Sequence, residues 1–145
     1  LAMPNIKDIV EKINFKIKYR DFWMPFCPVI LEEYASDYIE NYDPDNSRFM
    51  TTAYKTILEK RDLIRGGIHP ADFTARPQIL NSKINKEFYE IMIDIYKRTG
   101  IPCLINTSLN LHGEPVVGNA DDAVRTFLES GLDAILINDV FIEKR

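Results

Sequence analysis

Cysteine is scarce in this sequence, which has only Cys27 and Cys103 among its 145 residues. Both lie in apolar surroundings without the paired spacing of zinc ligands, so no zinc site is expected and both thiols are predicted to be buried and inert. An alternative makes Cys103 a nucleophile with His112 as its base. We do not favour it, because Cys103 lies inside an apolar run and not at its polar end, where a substrate could reach the thiol.

Basic residues are not in excess, and long apolar runs are absent. The 18 lysines and arginines are outnumbered by 22 aspartates and glutamates, and the net charge is −4. This balance argues against broad adhesion to nucleic acid or to an anionic membrane. No apolar stretch is long enough to cross a bilayer, and the amino terminus lacks the basic-then-apolar order of a signal peptide. We expect a cytoplasmic protein in which any anion-binding site is local.

The apolar content is sufficient for one core. Hydrophobic residues make up 46% of the chain and aromatic residues 11%, so residues 1–145 are expected to form a single domain. Periodicity and turn signals predict helices over 6–13, 32–42, 85–98 and 119–131, strands over 15–19, 26–31, 49–54 and 103–105, a helical turn and loop over 55–67, and a hairpin of 134–137 with 140–142. This alternation indicates an α/β fold with an open twisted sheet of mixed direction, flanked by helices.

The two clearest predicted helices carry signals at their ends. Gly100 is the expected carboxy-terminal cap of the helix over 85–98. Asn119 is expected to cap the later helix, and Gly131 to end it. Their predicted inward stripes are Phe88, Ile91, Met92 and Ile95 in the first helix, and Ala120, Ala123, Val124, Phe127 and Leu128 in the second.

The run Ile101–Glu114 changes abruptly from apolar to hydrogen-bonding side chains. Cys103–Ile105 does not alternate, as expected of a strand covered on both faces. The polar side chains that follow belong to Asn106, Thr107, Ser108 and Asn110. Polar residues at a strand exit form a binding lip in open α/β sheets, but the same residue types are ordinary in solvated turns. Composition alone favours the turn.

Three cations lie close together near the amino terminus. If residues 15–19 form a strand, Lys16, Lys18 and Arg20 share one face, with neighbours about 7 Å apart. Opposite an anion, the arginine would grip two oxygens and the lysines would supply point charges. The alternative is an exposed edge strand whose lysines discourage aggregation. The residues by themselves favour that alternative.

Three ordered blocks resemble the O-carbamoyltransferase family, which includes nodulation-factor and antibiotic carbamoyltransferases. Lys18–Pro28 is similar to the family's Lys-x-Arg-x-x-Phe-x-Pro-Phe-Ala-Pro block, and Asp72–Gln78 to its Asp-Gly-Thr-Ala-Arg-x-Gln block. Asn106–Pro115, which reads Asn-Thr-Ser-Leu-Asn-x-x-Gly-Glu-Pro, looks like its carboxy-terminal signature. The resemblance extends over essentially the whole chain, and it implies the YrdC-like carboxy-terminal domain of that family.

The resemblance also implies a chemistry. In the family, this domain binds carbamoyl phosphate and ATP with magnesium, and forms carbamoyl-adenylate with release of phosphate and pyrophosphate. A separate amino-terminal domain passes the carbamoyl group to an alcohol. The catalytic roles implied here fall on Lys18, Arg20 and Ser108. The ligand-binding roles fall on Thr74, Arg76, Asn106 and Asn110. Magnesium is expected to arrive with the nucleotide, without ligands from the protein.

Two positions depart from the family's pattern. Met24 stands where many relatives carry arginine, and Phe73 replaces the glycine of the second block, which puts one phosphate contact and one close backbone approach in question. His69, just before that block, is interpreted first as a loop residue and second as a nucleotide contact. The family's upstream Gly-Pro-Arg element and its transferase domain are absent from this sequence. We therefore expect a piece of a longer enzyme, with the amino-terminal domain as its partner.

A competing hypothesis is a non-catalytic module of the same fold, which binds a nucleotide or packs against a partner domain. A homodimer is also left open. Convergence of Lys18, Arg20 and Arg76 on the Ser108 loop would favour a polyanion site, whereas cations on separate solvent faces would favour the interaction module.

Overall fold

The computed structural model describes residues 1–19, 21 and 24–145, which form two compact units. The first unit contains Leu1–Ile9 and Pro25–Thr107, and the second contains Val10–Met24 and Ser108–Arg145. The second unit thus joins a segment near the amino terminus to the carboxy-terminal part of the chain. Among the described residues, none of the helices has the length and apolar character needed to cross a membrane.

The strands and helices are short except for two helices. The strands are β1 (Cys27–Leu31), β2 (Tyr54–Lys55), β3 (Thr74–Ala75), β4 (Gln78–Leu80), β5 (Cys103–Asn106), β6 (Ala134–Ile137) and β7 (Val140–Glu143). The α-helices are α1 (Ile9–Glu11), α2 (Ala35–Tyr38), α3 (Lys86–Thr99) and α4 (Ala120–Glu129). A π-helix spans Lys12–Lys18, and 3-10 helices span Glu32–Tyr34, Leu58–Leu63 and Arg65–Gly67.

The first unit is built around β1, the middle strand of a three-stranded sheet of order β4-β1-β5. β1 runs parallel to β4 and antiparallel to β5, which confirms the mixed α/β sheet. Val29 and Leu31 pack with Met92 of α3, whereas Ile30 belongs to a separate cluster with Tyr38. Because side chains alternate across a strand, β1 is buried on both faces and carries an unalternating apolar sequence.

Two predicted caps of the long helices are confirmed, Gly100 at the end of α3 and Asn119 at the start of α4. The side chain of Asn85 accepts the Phe88 N–H at 3.0 Å, and Gly100 takes the left-handed conformation with φ of +71° after the last turn of α3. The side chain of Asn119 accepts the Asp122 N–H at 2.9 Å at the start of α4. Each cap satisfies an N–H group that has no partner within its own helix.

The predicted apolar stripes of these helices were partly wrong. Met92 is fully buried and Phe127 packs with Ile135 in the core of the second unit, as expected of inward positions. Ile91 is 44% exposed and Leu128 is 66% exposed. Successive residues of a helix point about 100° apart, so only one residue of each adjacent apolar pair faces the core.

The strand predicted over 15–19 was also wrong, because these residues belong to the π-helix Lys12–Lys18 and its end. Ile13, Asn14 and Lys18 are buried, whereas Lys16 is exposed. In a π-helix the hydrogen bonds join residues five positions apart, so the wide turn brings position 18 back to the side of positions 13 and 14. The short alternation of apolar and charged residues therefore marked no strand face.

Other boundaries differ from the predictions. The helix predicted over 6–13 is reduced to α1 and the start of the π-helix, and the one over 32–42 ends with α2 at Tyr38. Only Tyr54 of the strand predicted over 49–54 is a strand residue, whereas the helical turn predicted within 55–67 is present as two 3-10 helices. Two of these segments meet through a single bridge, Ile39 with Thr56, so their form depends on partners distant in the chain.

The end of α4 differs from its prediction as well. The helix ends at Ser130 in an extended conformation. The Gly131 N–H donates to the Lys16 carbonyl at 2.8 Å, and a Cβ at position 131 would lie 2.8 Å from that oxygen. Gly131 is thus required for a close backbone approach. The hairpin that follows, β6 with β7, is confirmed, and Asn138 in its turn has φ of +52°.

Substitution Cys103→Ser is expected to lower the free energy of unfolding by about 1–3 kcal/mol, because it places a hydroxyl where no water can reach it. Cys103 is fully buried in β5, and burial raises the pKa of its thiol. Urea unfolding followed by circular dichroism measures the loss. Cys27→Ser is the control, since Cys27 is only half-buried, and an equal loss at both sites would contradict the burial argument.

Candidate functional site

Lys18 is a buried cation at the end of the π-helix. Only 5% of its surface is exposed. The helix stops at Tyr19, which takes the left-handed conformation with φ of +50°. π-Helical turns are rare and often occur at functional sites.

The ammonium group of Lys18 contacts the loop that begins the carboxy-terminal part of the second unit. Its Nζ donates to Asn110 Oδ1 at 2.6 Å, to Ser108 Oγ at 3.2 Å and to the Asn110 carbonyl at 3.3 Å. The Ser108 carbonyl is a further acceptor. Lys18 and Ser108 are 90 positions apart in the chain. The fold therefore joins residues from two of the motif blocks.

Hydrogen bonds within the Ser108 loop hold it in shape. The Ser108 hydroxyl donates to Asn110 Oδ1 at 2.7 Å, and Asn110 Nδ2 donates to the Glu114 carbonyl at 2.8 Å. The Glu114 carboxylate pairs with Arg125 of α4 at 2.9 Å, and the hydrogen bond from that guanidinium lowers the pKa of Glu114. Ser108 itself is exposed. An exposed hydroxyl beside a buried ammonium is a suitable site for an anionic oxygen.

A cavity of about 200 Å³ lies in the first unit. The residues that line it are Pro25, Phe26, Ala53, Gly67, His69, Thr74, Ala75 and Arg76. Two of the predicted ligand-binding residues, Thr74 and Arg76, are therefore at one cavity. His69 lies at the same cavity. At Gly67 a Cβ would come within 2.9 Å of the Pro28 Cβ, so the close wall of the cavity requires glycine.

Thr74 is fixed by Asp72. The Asp72 Oδ1 accepts the Thr74 N–H at 2.9 Å and the Thr74 hydroxyl at 2.8 Å. These two bonds, the backbone one first, hold the pKa of the Asp72 carboxyl below its usual range. His69 Nδ1 lies 3.3 Å from the same oxygen. Since the Thr74 hydroxyl gives its proton to Asp72, its oxygen serves any other partner as an acceptor.

Asn106 contacts a residue to which the sequence reasoning assigned no role. Its Nδ2 donates to Gln78 Oε1 at 2.7 Å. Asn106 ends β5 and Gln78 begins β4, so the bond connects the two strands that flank β1. Gln78 belongs to the same motif block as Thr74 and Arg76. Its place in that block is the sequence signal from which a role for Gln78 could have been predicted.

The structure gives different answers for the remaining candidate residues. Arg20 lies outside the described residues, and Arg76 belongs to the first unit, whereas Lys18 belongs to the second. Cys103 is fully buried and its pKa is raised by burial, while His112 is exposed. A thiol mechanism therefore has no accessible nucleophile at Cys103. Within residues 1–19, 21 and 24–145, no group of three or more His, Cys, Asp or Glu side chains is arranged to hold a metal ion.

Comparison with known families defines the class of this protein. The family model described as "Carbamoyltransferase C-terminus" matches residues 1–144. The chain therefore belongs to the carbamoyltransferase family and corresponds to its carboxy-terminal domain.

The relatives are longer proteins. The chain is 46% identical over 144 residues to an uncharacterized protein of Methanocaldococcus jannaschii, a match that covers 99% of this chain and 27% of that protein. It is 37% identical to nodulation protein NolNO of Sinorhizobium fredii, with 100% of this chain and 21% of that protein covered. The chain is 35% identical to nodulation protein NolO of Bradyrhizobium diazoefficiens, a match that covers 100% of this chain and 26% of that protein. The chain thus spans about a quarter of the length of these relatives.

Substitution Thr74→Val is expected to raise the pKa of Asp72 towards its ordinary value, because one of its two hydrogen bonds from Thr74 disappears. The carboxylate form of Asp72 is favoured in the folded state, so its contribution to stability is present above the unfolded-state pKa and is lost as the pH falls through the folded-state pKa. Carbon-13 NMR titration of the Asp72 carboxyl measures the shift. Thr74→Ser keeps the hydroxyl and should leave the pKa low, and an identical pKa in both variants would contradict the assigned cause.

Proposed function

We propose that this domain binds carbamoyl phosphate and Mg-ATP and forms carbamoyl-adenylate. The observation that carries the proposal is the contact of Lys18 with Ser108 and Asn110. These residues come from separate motif blocks, and they combine a buried positive charge with an exposed hydroxyl. Membership of the carbamoyltransferase family supports the same chemistry.

The reaction moves negative charge between phosphates. One water molecule is needed for balance: it releases phosphate and carbamate from carbamoyl phosphate, and a carbamate oxygen then displaces pyrophosphate from the α-phosphorus of ATP. Fixed cations and hydrogen-bond donors stabilise the charge that develops in such steps. Lys18 supplies a fixed charge that requires no reorganisation, since the Ser108 loop already holds its ammonium group. When the ligand binds, the Ser108 hydroxyl turns its proton from Asn110 Oδ1 to a phosphate or carbamoyl oxygen, while Asn110 Oδ1 keeps the hydrogen bond from Lys18.

The cavity of the first unit supplies a second set of contacts. Its volume of about 200 Å³ is below the roughly 300–1,000 Å³ typical of pockets for drug-sized ligands. We therefore assign it a small ligand or one portion of a nucleotide, with Arg76 binding an anionic oxygen and Thr74 accepting a hydrogen bond. Magnesium would arrive with the nucleotide and neutralise its phosphates.

The complete reaction would require more chain than this. In the longer relatives, we assign the transfer of the carbamoyl group to an alcohol to their additional amino-terminal part. This chain corresponds to the family's carboxy-terminal domain and matches about a quarter of their length. We therefore propose the carbamoyl transfer, with an alcohol as its acceptor, for the longer protein and not for this chain alone.

A second candidate is a non-catalytic module that binds a nucleotide or packs against a partner domain. The observation that favours it is that protein oxygens from Ser108 and Asn110 already surround the Lys18 ammonium. Fixing the loop is by itself a sufficient role for a lysine that is bonded in this way. Ligand binding and turnover distinguish the two candidates.

Substitution Ser108→Ala is expected to weaken binding of carbamoyl phosphate by roughly ten- to hundredfold, since a hydrogen bond to a charged group contributes about 1.5–3 kcal/mol. Isothermal titration calorimetry at low salt measures the dissociation constant. Ser82→Ala is the matched control, because Ser82 is an exposed serine that lies before α3 and outside the three motif blocks. Equal affinity in the wild type and the Ser108 variant would remove Ser108 from the site.

Substitution Met24→Arg is expected to speed exchange of labelled pyrophosphate into ATP, in the presence of carbamoyl phosphate, by about tenfold. The added guanidinium restores a phosphate contact that the family's pattern places before Pro25, and about 1.4 kcal/mol of transition-state stabilisation corresponds to tenfold. Leu128→Arg adds the same charge at an exposed helical position and should not change the rate. If the wild type exchanged pyrophosphate as fast as the Met24→Arg variant, an arginine at position 24 would be dispensable.

A further inference from the structure

Phe73 has an unusual backbone conformation. Its φ is +57°, in the left-handed region that favours glycine, and its side chain is 46% exposed. A bulky residue in that region is an outlier, and such strain persists only where surrounding contacts impose it. The contacts around Phe73 should therefore identify what holds the strained turn and what the turn serves.

Both backbone polar groups of Phe73 are bonded within the first unit. Its N–H donates to the His69 carbonyl at 3.0 Å, and its carbonyl accepts the Thr56 hydroxyl at 2.7 Å. The His69 N–H in turn donates to the Thr74 carbonyl at 2.7 Å. Thr56 is fully buried. The turn is therefore closed on itself and anchored to a buried hydroxyl.

The Arg61 side chain contacts both Thr56 and Phe73, the two residues that this hydrogen bond joins. Its Nε donates to Thr56 Oγ at 3.0 Å and its Nη2 donates to the Thr56 carbonyl at 3.1 Å. The centre of the guanidinium lies 4.6 Å from the centroid of the Phe73 ring, in cation–π contact. One planar group thus orients the hydroxyl that binds the Phe73 carbonyl and also covers the ring. We name Thr56, Arg61 and Phe73 the clamp.

The clamp adjoins the cavity of the first unit through the chain. Thr74 directly follows Phe73, and both Thr74 and His69, which bond the turn, line the cavity together with Arg76. A change of φ at position 73 would rotate the path of the chain into β3, and so move the Thr74 and Arg76 side chains. The backbone conformation at position 73 thereby sets the geometry of the cavity wall.

We propose that Arg61 is a positioning residue that holds Phe73 in its left-handed conformation and thereby orients Thr74 and Arg76 to bind the small anionic ligand. This inference rests on the proposed function, in which the cavity of the first unit binds a small anionic ligand, and carbamoyl phosphate is the probe for that ligand. It also accounts for a departure from the family's pattern, where glycine stands at this position. Glycine adopts φ of +57° without strain, whereas phenylalanine needs a clamp and in return leaves the turn fewer alternative conformations. Pre-organised contacts bind more tightly than flexible ones.

The test is a cycle of two substitutions. Arg61→Gln should weaken binding of carbamoyl phosphate by about tenfold, as expected for losing one well-oriented contact to a charged group. In the Phe73→Gly background the same substitution should change affinity by less than about twofold, because glycine needs no clamp. Arg61→Lys should behave like Arg61→Gln, since lysine lacks the planar fork that donates twice to Thr56. Titration calorimetry measures each affinity.

Arg65→Gln is the matched control. Arg65 is an exposed arginine four positions further on that pairs with Asp62 at 2.7 Å. Its substitution removes the same charge without touching the clamp, so affinity should not change. Equal losses for Arg61→Gln in both backgrounds, or an equal loss for Arg65→Gln, would overturn the positioning role in favour of general charge or stability.

Amide hydrogen exchange separates this inference from the proposed function. The probe is the His69 N–H, which donates to the Thr74 carbonyl and closes the turn; neither residue is substituted in any of these variants. Arg61→Gln should accelerate its exchange relative to the Met92 N–H in α3, and the acceleration should be smaller in the Phe73→Gly background. If the wild type binds no carbamoyl phosphate, the proposed function fails, and the exchange result still decides whether the clamp holds the turn. Unchanged exchange would overturn it.

Discussion

Burial of β1 on both faces is the constraint on which the first unit depends. Val29 and Leu31 face α3 while Ile30 faces the cluster around Tyr38, and β4 and β5 complete the hydrogen bonding on either side. A strand so enclosed cannot slip in register without moving apolar side chains to the wrong face. The ends of β4 and β5 are therefore fixed beside it, which allows the bond between Asn106 and Gln78.

The second unit depends on a different constraint, the burial of a charge. An ammonium group inside a protein needs oxygen partners, because an uncompensated charge there is costly. Ser108 and Asn110 supply these oxygens to Lys18, and Asn110 is held in turn by the Glu114 carbonyl. The same requirement ties the π-helix to a loop remote in sequence. The bonds that satisfy the charge also hold the ammonium group in place, so the structural role of Lys18 is compatible with the role in catalysis that we propose for it.

In both units, the candidate ligand contacts lie on loops and short strands that local interactions hold in one conformation. Asp72 fixes Thr74, and the clamp around Phe73 keeps the same turn closed. The hydrogen bonds of the Ser108 loop do the equivalent for its hydroxyl. Loops positioned in this way bind ligands with little loss of conformational freedom. The proposed ligand contacts thus lie mainly outside the long helices and the central sheet.

The sequence by itself determined those features whose causes are local. Both ends of α3, the start of α4, the positive φ in the β6–β7 turn and the apolar character of β1 and β5 all follow from residues a few positions apart. Motif resemblance identified the family, and it named Lys18, Ser108 and Asn110 without showing that they meet. Only the tertiary structure decided that residues 12–18 form a π-helix, that Gly131 approaches Lys16 and that Arg61 covers Phe73. Each of these depends on partners distant in the chain or on side-chain packing, and a short run of alternating polarity carries no information about such partners.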